Sequence, residues 1–180
     1  FLVMVSPPCQ GMSRNGAGCI AAAVREGKRP KMDPRNRLML PALNIIERLV
    51  PDCVVFENVD KMLNTVILNE TGVVEPILDI IKRRLHPFIV QARVLNSAHY
   101  GVPQRRRRLF TIAMRRTSFP LLGVSTSPHP DATHGPGTDR PMLTLRDAIG
   151  ALPPLDAQTR PKEDNDPLHC VPPWNHMQYF

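Results

Sequence analysis

The stretch Val5-Ser6-Pro7-Pro8-Cys9-Gln10-Gly11-Met12-Ser13 decides how the rest of the chain is read. It follows an apolar run, Phe1 to Val5, that is too short for a helix and has the character of a buried parallel strand. Two prolines then stop any strand or helix, because neither offers an N–H and each holds the preceding residue extended. Cys9 is therefore expected on a stiffened loop just past the carboxyl end of a central strand, where ligands and chemistry collect in open α/β sheets. A thiol that acts as a nucleophile must be exposed, oriented and partly ionised. The alternative is a small buried thiol beside a turn.

Two further groups offer partners to such a thiol. The first is Phe56-Glu57-Asn58-Val59, which closes the short apolar run Cys-Val-Val-Phe at 53–56. Glu57 thus emerges at a strand end, either as a solvated carboxylate or as a carboxyl placed to deliver a proton. Asn58 is suited to tying the loop together through its amide. The second group is Gln104-Arg105-Arg106-Arg107-Arg108, directly before the apolar run Leu109 to Met114. Four adjacent arginines commonly form a solvated patch that seeks phosphate. In an extended segment, however, alternate residues share a face, so Arg106 and Arg108 point one way and Arg105 and Arg107 the other.

Between these groups the pattern predicts alternating strands and helices. Asp33-Pro34 opens a helix, with Asp as N-cap and Pro in the first position. Leu38, Leu40, Ile45, Ile46 and Leu49 form its apolar stripe, Pro41 is expected to kink it and Pro51 ends it. Cys53 is expected in the core. Val74, Ile77, Leu78, Ile81 and Leu85 predict a second amphipathic helix with Pro76 in its first turn, and Phe88 to Leu95 a strand. Residues 14–32, rich in Gly, Arg and Lys, read as a loop, with one helical turn available at Ile20 to Val24. Beyond Thr117 lie 11 of the 20 prolines. One helix is expected there, capped by Thr144 with Asp147 three residues on and closed by Gly150.

The 180 residues allow one domain with a real core, and carry a basic excess of 7. That excess favours a polyanionic partner. Cys9, Cys19, Cys53 and Cys170 show no paired spacing, which fits a reducing compartment better than a disulfide framework. No apolar run has the length of a transmembrane helix, and the opening run lacks the features of a signal peptide. His129, His134, His169 and Cys170 match no standard zinc spacing, so no metal is expected.

Pro-Pro-Cys-Gln at 7–10, Glu-Asn-Val at 57–59 and Gln-x-Arg-x-Arg at 104–108, in that order, resemble the catalytic half of a DNA (cytosine-5) methyltransferase. Asp33-Pro34-Arg35-Asn36 and Asn96-Ser97-Ala98-His99-Tyr100-Gly101-Val102-Pro103 fit the same family. The resemblance covers almost the whole chain but only the middle of a full enzyme. The family's glycine-rich cofactor turn and its later recognition and closing motifs have no match here, so the chain is expected to be a piece of something longer.

The resemblance implies an α/β, Rossmann-like methyltransferase sheet with flanking helices, incomplete at the cofactor-binding half and the target-recognition lobe. Residues 1–116 would be the central part of the catalytic domain and 117–180 a Pro-rich connector toward the recognition lobe. The implied activity is methyl transfer from S-adenosylmethionine to C5 of a flipped-out cytosine in double-stranded DNA, through a covalent Cys9–C6 adduct. Glu57, Arg106 and Arg108 would complete the catalytic set. Pro8 and Leu38 would touch the cofactor, and Gln10, Ser13, Arg14, Asn58 and Gln104 the nucleic acid. The family also implies a cytoplasmic protein of bacterial or phage-like origin and, in a restriction–modification system, a cognate endonuclease. Relatives that methylate cytosine in transfer RNA carry the same motifs, and a basic fragment without catalysis is a third reading.

Overall fold

Val54, Phe56 and Asn58 alternate with Cys53, Val55 and Glu57, and this alternation separates the two faces of the sheet. In the computed structural model, which describes residues 1–8, 25–27, 33–118 and 127–151, they form strand β2, Cys53–Asn58. β2 pairs in parallel with β1, Leu2–Val5, and antiparallel with β6, Arg107–Arg115. β6 in turn pairs antiparallel with β5, Phe88–Asn96, giving the order β1-β2-β6-β5. Helix α1, Met39–Leu49, and helix α2, Ile77–Arg84, contribute the apolar side chains that pack with Val54, Phe56, Leu109 and Ala113. A two-stranded hairpin, β3 (Val66–Leu68) with β4 (Val74–Pro76), lies between β2 and α2 in sequence.

Several expectations are corrected. β1 does pair in parallel, but it lies at the sheet edge among the described residues rather than in its centre. Val3 and Val5 pack on the core, whereas Leu2 and Met4 stay exposed because no described element covers their face. The segment that opens at Asp33 is a 3₁₀ turn, Pro34–Leu38, before it becomes α1. Asp33 caps it as expected, accepting from the Arg35 N–H. Pro41 causes no interruption, because it falls in the first turn of α1, where an N–H has no intrahelical partner.

The buried stripe of α1 is Met39, Leu40, Leu43 and Ile46, while Leu38, Ile45 and Leu49 face solvent. The 3₁₀ start shifts the phase of the helix relative to a continuous 3.6-residue count. Replacing Leu43, fully buried, with Ala is expected to cost about 2–5 kcal/mol. The same change at Ile45 should stay within about 0.5 kcal/mol. Urea midpoints of the two variants check this, and equal losses would restore the expected stripe.

The second helix begins three residues later than its periodicity indicates. Val74 belongs to β4 and is exposed, and Pro76 is the N-cap residue rather than part of the first turn. The hairpin ladder holds this segment extended up to Pro76, and the helix follows. Its basic end reaches across the fold: Arg84 bonds Glu47 and Asn44 of α1 and Glu70 of the hairpin loop, and Arg83 bonds Glu70 and Glu75. The Glu70 carboxyl is held down to about 2, first by its own backbone N–H and then by Arg84 and Arg83. Cys53 is half-buried rather than in the core, and burial pushes its thiol up.

The chain divides into two compact units, Phe1–Leu143 and Thr144–Phe180. The described residues 127–143 belong to the first unit. In the second unit α3, Leu145–Ile149, carries the expected capping box: Asp147 N–H donates to Thr144 Oγ1, and Asp147 Oδ2 accepts from Thr144 N–H. Among the described residues no helix is long and apolar enough to cross a membrane.

Candidate active site

Register places the polar cluster. Glu57 stands opposite Phe110, and Arg108 opposite Leu95, so alternation puts Glu57, Arg108, Phe110, Ile112 and Leu95 on the sheet face away from α1 and α2. Across that face Arg108 Nε lies 3.0 Å from Glu57 Oε1, with both side chains about three-quarters buried. Arg108 Nη1 also donates to the carbonyl of Arg107 at 2.8 Å, which fixes the plane of the guanidinium.

The loop after β1 is anchored to the same place. Ser6 Oγ donates to Glu57 Oε2 at 2.9 Å. Asn58 Nδ2 donates to the carbonyl of Pro7 at 3.1 Å, and its Oδ1 accepts from the Val59 N–H. Glu57 thus has one oxygen on Arg108 and the other on Ser6. Asn58 is 3% exposed, with both ends of its amide engaged inside the fold. That geometry ties the loop after β1 to the end of β2. Pro8 is exposed, and the next residue in sequence is Cys9. Cys9, Gln10, Ser13 and Arg14 lie outside the described residues, as does the turn expected at Ile20 to Val24.

A cavity of about 440 Å³ opens over this face. It is lined by the sheet residues Leu95, Phe110 and Ile112, by the polar Glu57, Arg106 and Arg108, and by Ser97, Tyr100, Val102 and Pro130. The size and the few convergent polar groups suit a small planar ligand. Arg106 and Arg108 line it, and Arg105 and Arg107 are exposed and do not. Arg106 is carried in by its backbone: Ser97 N–H donates to its carbonyl at 3.0 Å and its N–H donates to Ser97 Oγ at 3.2 Å. The side chain of Arg106 has no partner among the described residues and is exposed to an incoming anion or base. Gln104 is exposed, and its carbonyl accepts from Ser97 Oγ at 2.5 Å.

Residues 2–162 match the sequence profile of the C-5 cytosine-specific DNA methylase family. The chain belongs to that family. It is 34% identical over 172 residues to the Type II methyltransferase M.AquIA of Picosynechococcus, covering 85% of this chain and 60% of that protein. With M.AgeI of Thalassovita gelatinovora the identity is 29%, over 96% of this chain and 38% of the relative. The chain therefore spans less than two thirds of the length of these relatives. Among solved structures, a triple mutant of Spodoptera frugiperda DNMT2 aligns with a TM-score of 0.51 at 25% identity, covering 87% of this chain and 40% of that one. A protein described as an E. coli prophage-encoded DNA modification methyltransferase shares the fold with a TM-score of 0.54 at 20% identity, covering 86% and 35%.

The fold is thus that of a methyltransferase. Of the two residues expected at a methyl donor, Pro8 is exposed at the end of β1, and Leu38 leaves 45% of its surface in solvent at the end of the 3₁₀ turn. His129 and His134 are engaged in hydrogen bonds to backbone and hydroxyl groups, and no described cluster of His, Cys, Asp or Glu could hold a metal ion. His169 and Cys170 lie outside the described residues. Ser6 at Glu57, and Ser97, Tyr100 and Pro130 in the cavity lining, were given no site role from the sequence, although Ser6, Ser97 and Tyr100 lie in the quoted motif stretches. Ser6 was legible only as the neighbour of the cysteine loop, and Pro130 carried no signal at all.

Proposed function

We propose that the protein transfers a methyl group to C5 of a cytosine extruded from double-stranded DNA, with Cys9 as nucleophile and Glu57 as acid. The observation that supports this most is the Ser6–Glu57–Arg108 cluster at a cavity lined by apolar sheet residues. Extrusion is required because a stacked cytosine cannot reach these groups. The cavity offers the flipped ring apolar surface and a carboxyl group.

C5 of cytosine is a poor nucleophile until electrons are pushed into the ring. The Cys9 thiolate supplies them by forming a bond to C6, and Glu57 holds or delivers the proton at N3 as negative charge develops there. Arg108 keeps Glu57 in place and offers a further N–H to the base O2. Arg106, open to the cavity, meets the base or an adjacent phosphate. When bound, S-adenosylmethionine supplies an electrophilic methyl group, and Pro8 and Leu38 would touch it. Loss of the C5 proton to a base, followed by breakage of the Cys9–C6 bond, restores the aromatic ring and the thiolate. Gln10, Ser13, Arg14 and Gln104 are assigned to the DNA backbone, and Asn58 to holding the cysteine loop. The Pro-rich stretch 117–180 is read as leading toward a target-recognition lobe, and a cognate endonuclease as the partner if the gene sits in a restriction–modification system.

Expression of the full reading frame in a host that lacks cytosine methylation, followed by bisulfite sequencing, tests the reading. 5-Methylcytosine at one recurrent sequence supports it. Unmodified DNA alongside methylated transfer RNA would overturn the choice of substrate.

One residue outside the family motifs has a measurable share. Ser6 donates to the carboxyl of Glu57, and a hydrogen bond to a charged group is worth roughly 1.5–3 kcal/mol. Ser6→Ala is expected to slow single-turnover methylation by about tenfold or more, whereas Ser6→Thr, which keeps the hydroxyl, should recover most of the rate. Equal rates for Ala and wild type would remove Ser6 from the site.

A further inference from the structure

Residues 127–134 run back over the end of β6 and clasp the turn that follows β5. His129 is 6% exposed, and its Nε2 donates to the carbonyl of Phe110 at 2.9 Å, a residue that lines the cavity two positions from Arg108. That contact puts a hydrogen on Nε2, while Nδ1 faces the Ser127 hydroxyl at 3.4 Å and Ser127 Oγ accepts from the His129 N–H. The next residue, Pro130, lines the cavity, and its carbonyl accepts from Tyr100 Oη at 3.1 Å. Further on, the N–H groups of Thr133 and His134 both donate to the carbonyl of His99. Gly101, at φ +79, makes the close approach possible, since a Cβ there would stand 2.8 Å from His134 Cε1.

We infer that this strap is the outer wall of the base pocket and that His129 is its positioning residue. The inference rests on the cytosine reading given above. By bonding the backbone at Phe110, His129 fixes two things together: the sheet residue beside Arg108, and the Pro130–Tyr100 wall against which an extruded ring would rest. A buried imidazole bonded to a main-chain carbonyl has no direct role toward substrate here. Its value is the distance it sets between wall and carboxyl.

The test uses the protein from its full reading frame, on a duplex carrying its own target site as mapped by bisulfite sequencing. Wild type, His129→Ala, His129→Gln and Tyr100→Phe are compared in DNA affinity, single-turnover methylation, melting temperature, and the fluorescence rise of 2-aminopurine placed at the target base. His129→Ala should lower the methylation rate and the fluorescence rise at least tenfold, with DNA affinity within threefold of wild type. His129→Gln, whose amide N–H can reach the Phe110 carbonyl, should recover to within about threefold, and Tyr100→Phe should lose a few-fold. Two outcomes overturn the assignment: an Ala variant with wild-type rate and fluorescence, or Ala and Gln variants equally impaired in step with their melting temperatures. A wild-type protein that makes no 5-methylcytosine sinks the cytosine reading itself. The wall falls separately, with the cytosine reading intact, if wild type methylates its mapped site and His129→Ala matches it in both rate and fluorescence.

Discussion

Cys9→Ser is expected to abolish methyl transfer, with turnover down at least ~10³-fold. A serine hydroxyl is almost wholly protonated at neutral pH and is a much weaker nucleophile toward C6 than a thiolate. Glu57, the carboxyl at the cluster, is not placed to take over the step. Glu57 has both oxygens engaged, by Arg108 and Ser6, and a carboxylate added to C6 would block its role at N3. The loop that carries Cys9 should be intact in the variant, because its anchors, Ser6 to Glu57 and Asn58 to Pro7, do not involve the thiol. DNA affinity is therefore expected to change little. Serine in place of Cys19, Cys53 or Cys170 should leave turnover near wild type. Cys53 is the informative control, since its thiol lies half-buried in β2 and burial pushes it up, away from the thiolate a nucleophile needs. Single-turnover methylation of saturating DNA by the four variants is the measurement. A Cys9→Ser protein that retains a tenth of the rate would end the assignment.

The second large effect separates the arginines. Arg108→Lys should lower single-turnover methylation by about a hundredfold, and Arg105→Lys by no more than about twofold. Arg108 uses Nε on Glu57 and Nη1 on the carbonyl of Arg107, two directions that one ammonium cannot reproduce. Only about a quarter of each partner's side chain is exposed, so the loss lies in the fixed guanidinium geometry that holds Glu57, which a flexible ammonium does not restore. Arg105 is exposed and does not line this cavity, and lysine there keeps its charge in place. If both changes cost the same, the run acts as an undifferentiated phosphate patch and Arg108 has no pocket role.

These two predictions draw on different parts of what the sequence made legible. The arginine alternation could be foreseen because strand period is strict: once Leu109 to Met114 is a strand, the facing of Arg106 and Arg108 follows. Glu57 at a strand end was legible for the same reason. Helix phase was not, because a 3₁₀ turn before α1 resets the count and moves the buried stripe onto Met39 and Leu43. Nor was the β3–β4 hairpin. Its strands are three residues each, too short for an alternation to stand out, and Val74 fitted a helical spacing equally well. That β1 lies at the sheet edge among the described residues was missed because an apolar run reports hydrophobicity and not which neighbours cover it. The strap escaped notice altogether. It is held by backbone carbonyls of Phe110 and His99 and by one buried histidine, and main-chain acceptors leave no trace in side-chain pattern.

The central claim is a covalent bond between Cys9 and C6 of the target cytosine, and it can be read directly. A duplex with 5-fluorocytosine at the target position cannot lose a C5 proton after methylation, so the adduct should persist. The full-frame protein is incubated with this duplex and S-adenosylmethionine, digested, and the cross-linked peptide sequenced by mass spectrometry. The expected result is a nucleotide adduct on Cys9 that requires S-adenosylmethionine to accumulate. An adduct on Cys19, Cys53 or Cys170, or 5-methylcytosine formed on ordinary DNA with no adduct on the fluorinated one, would contradict it.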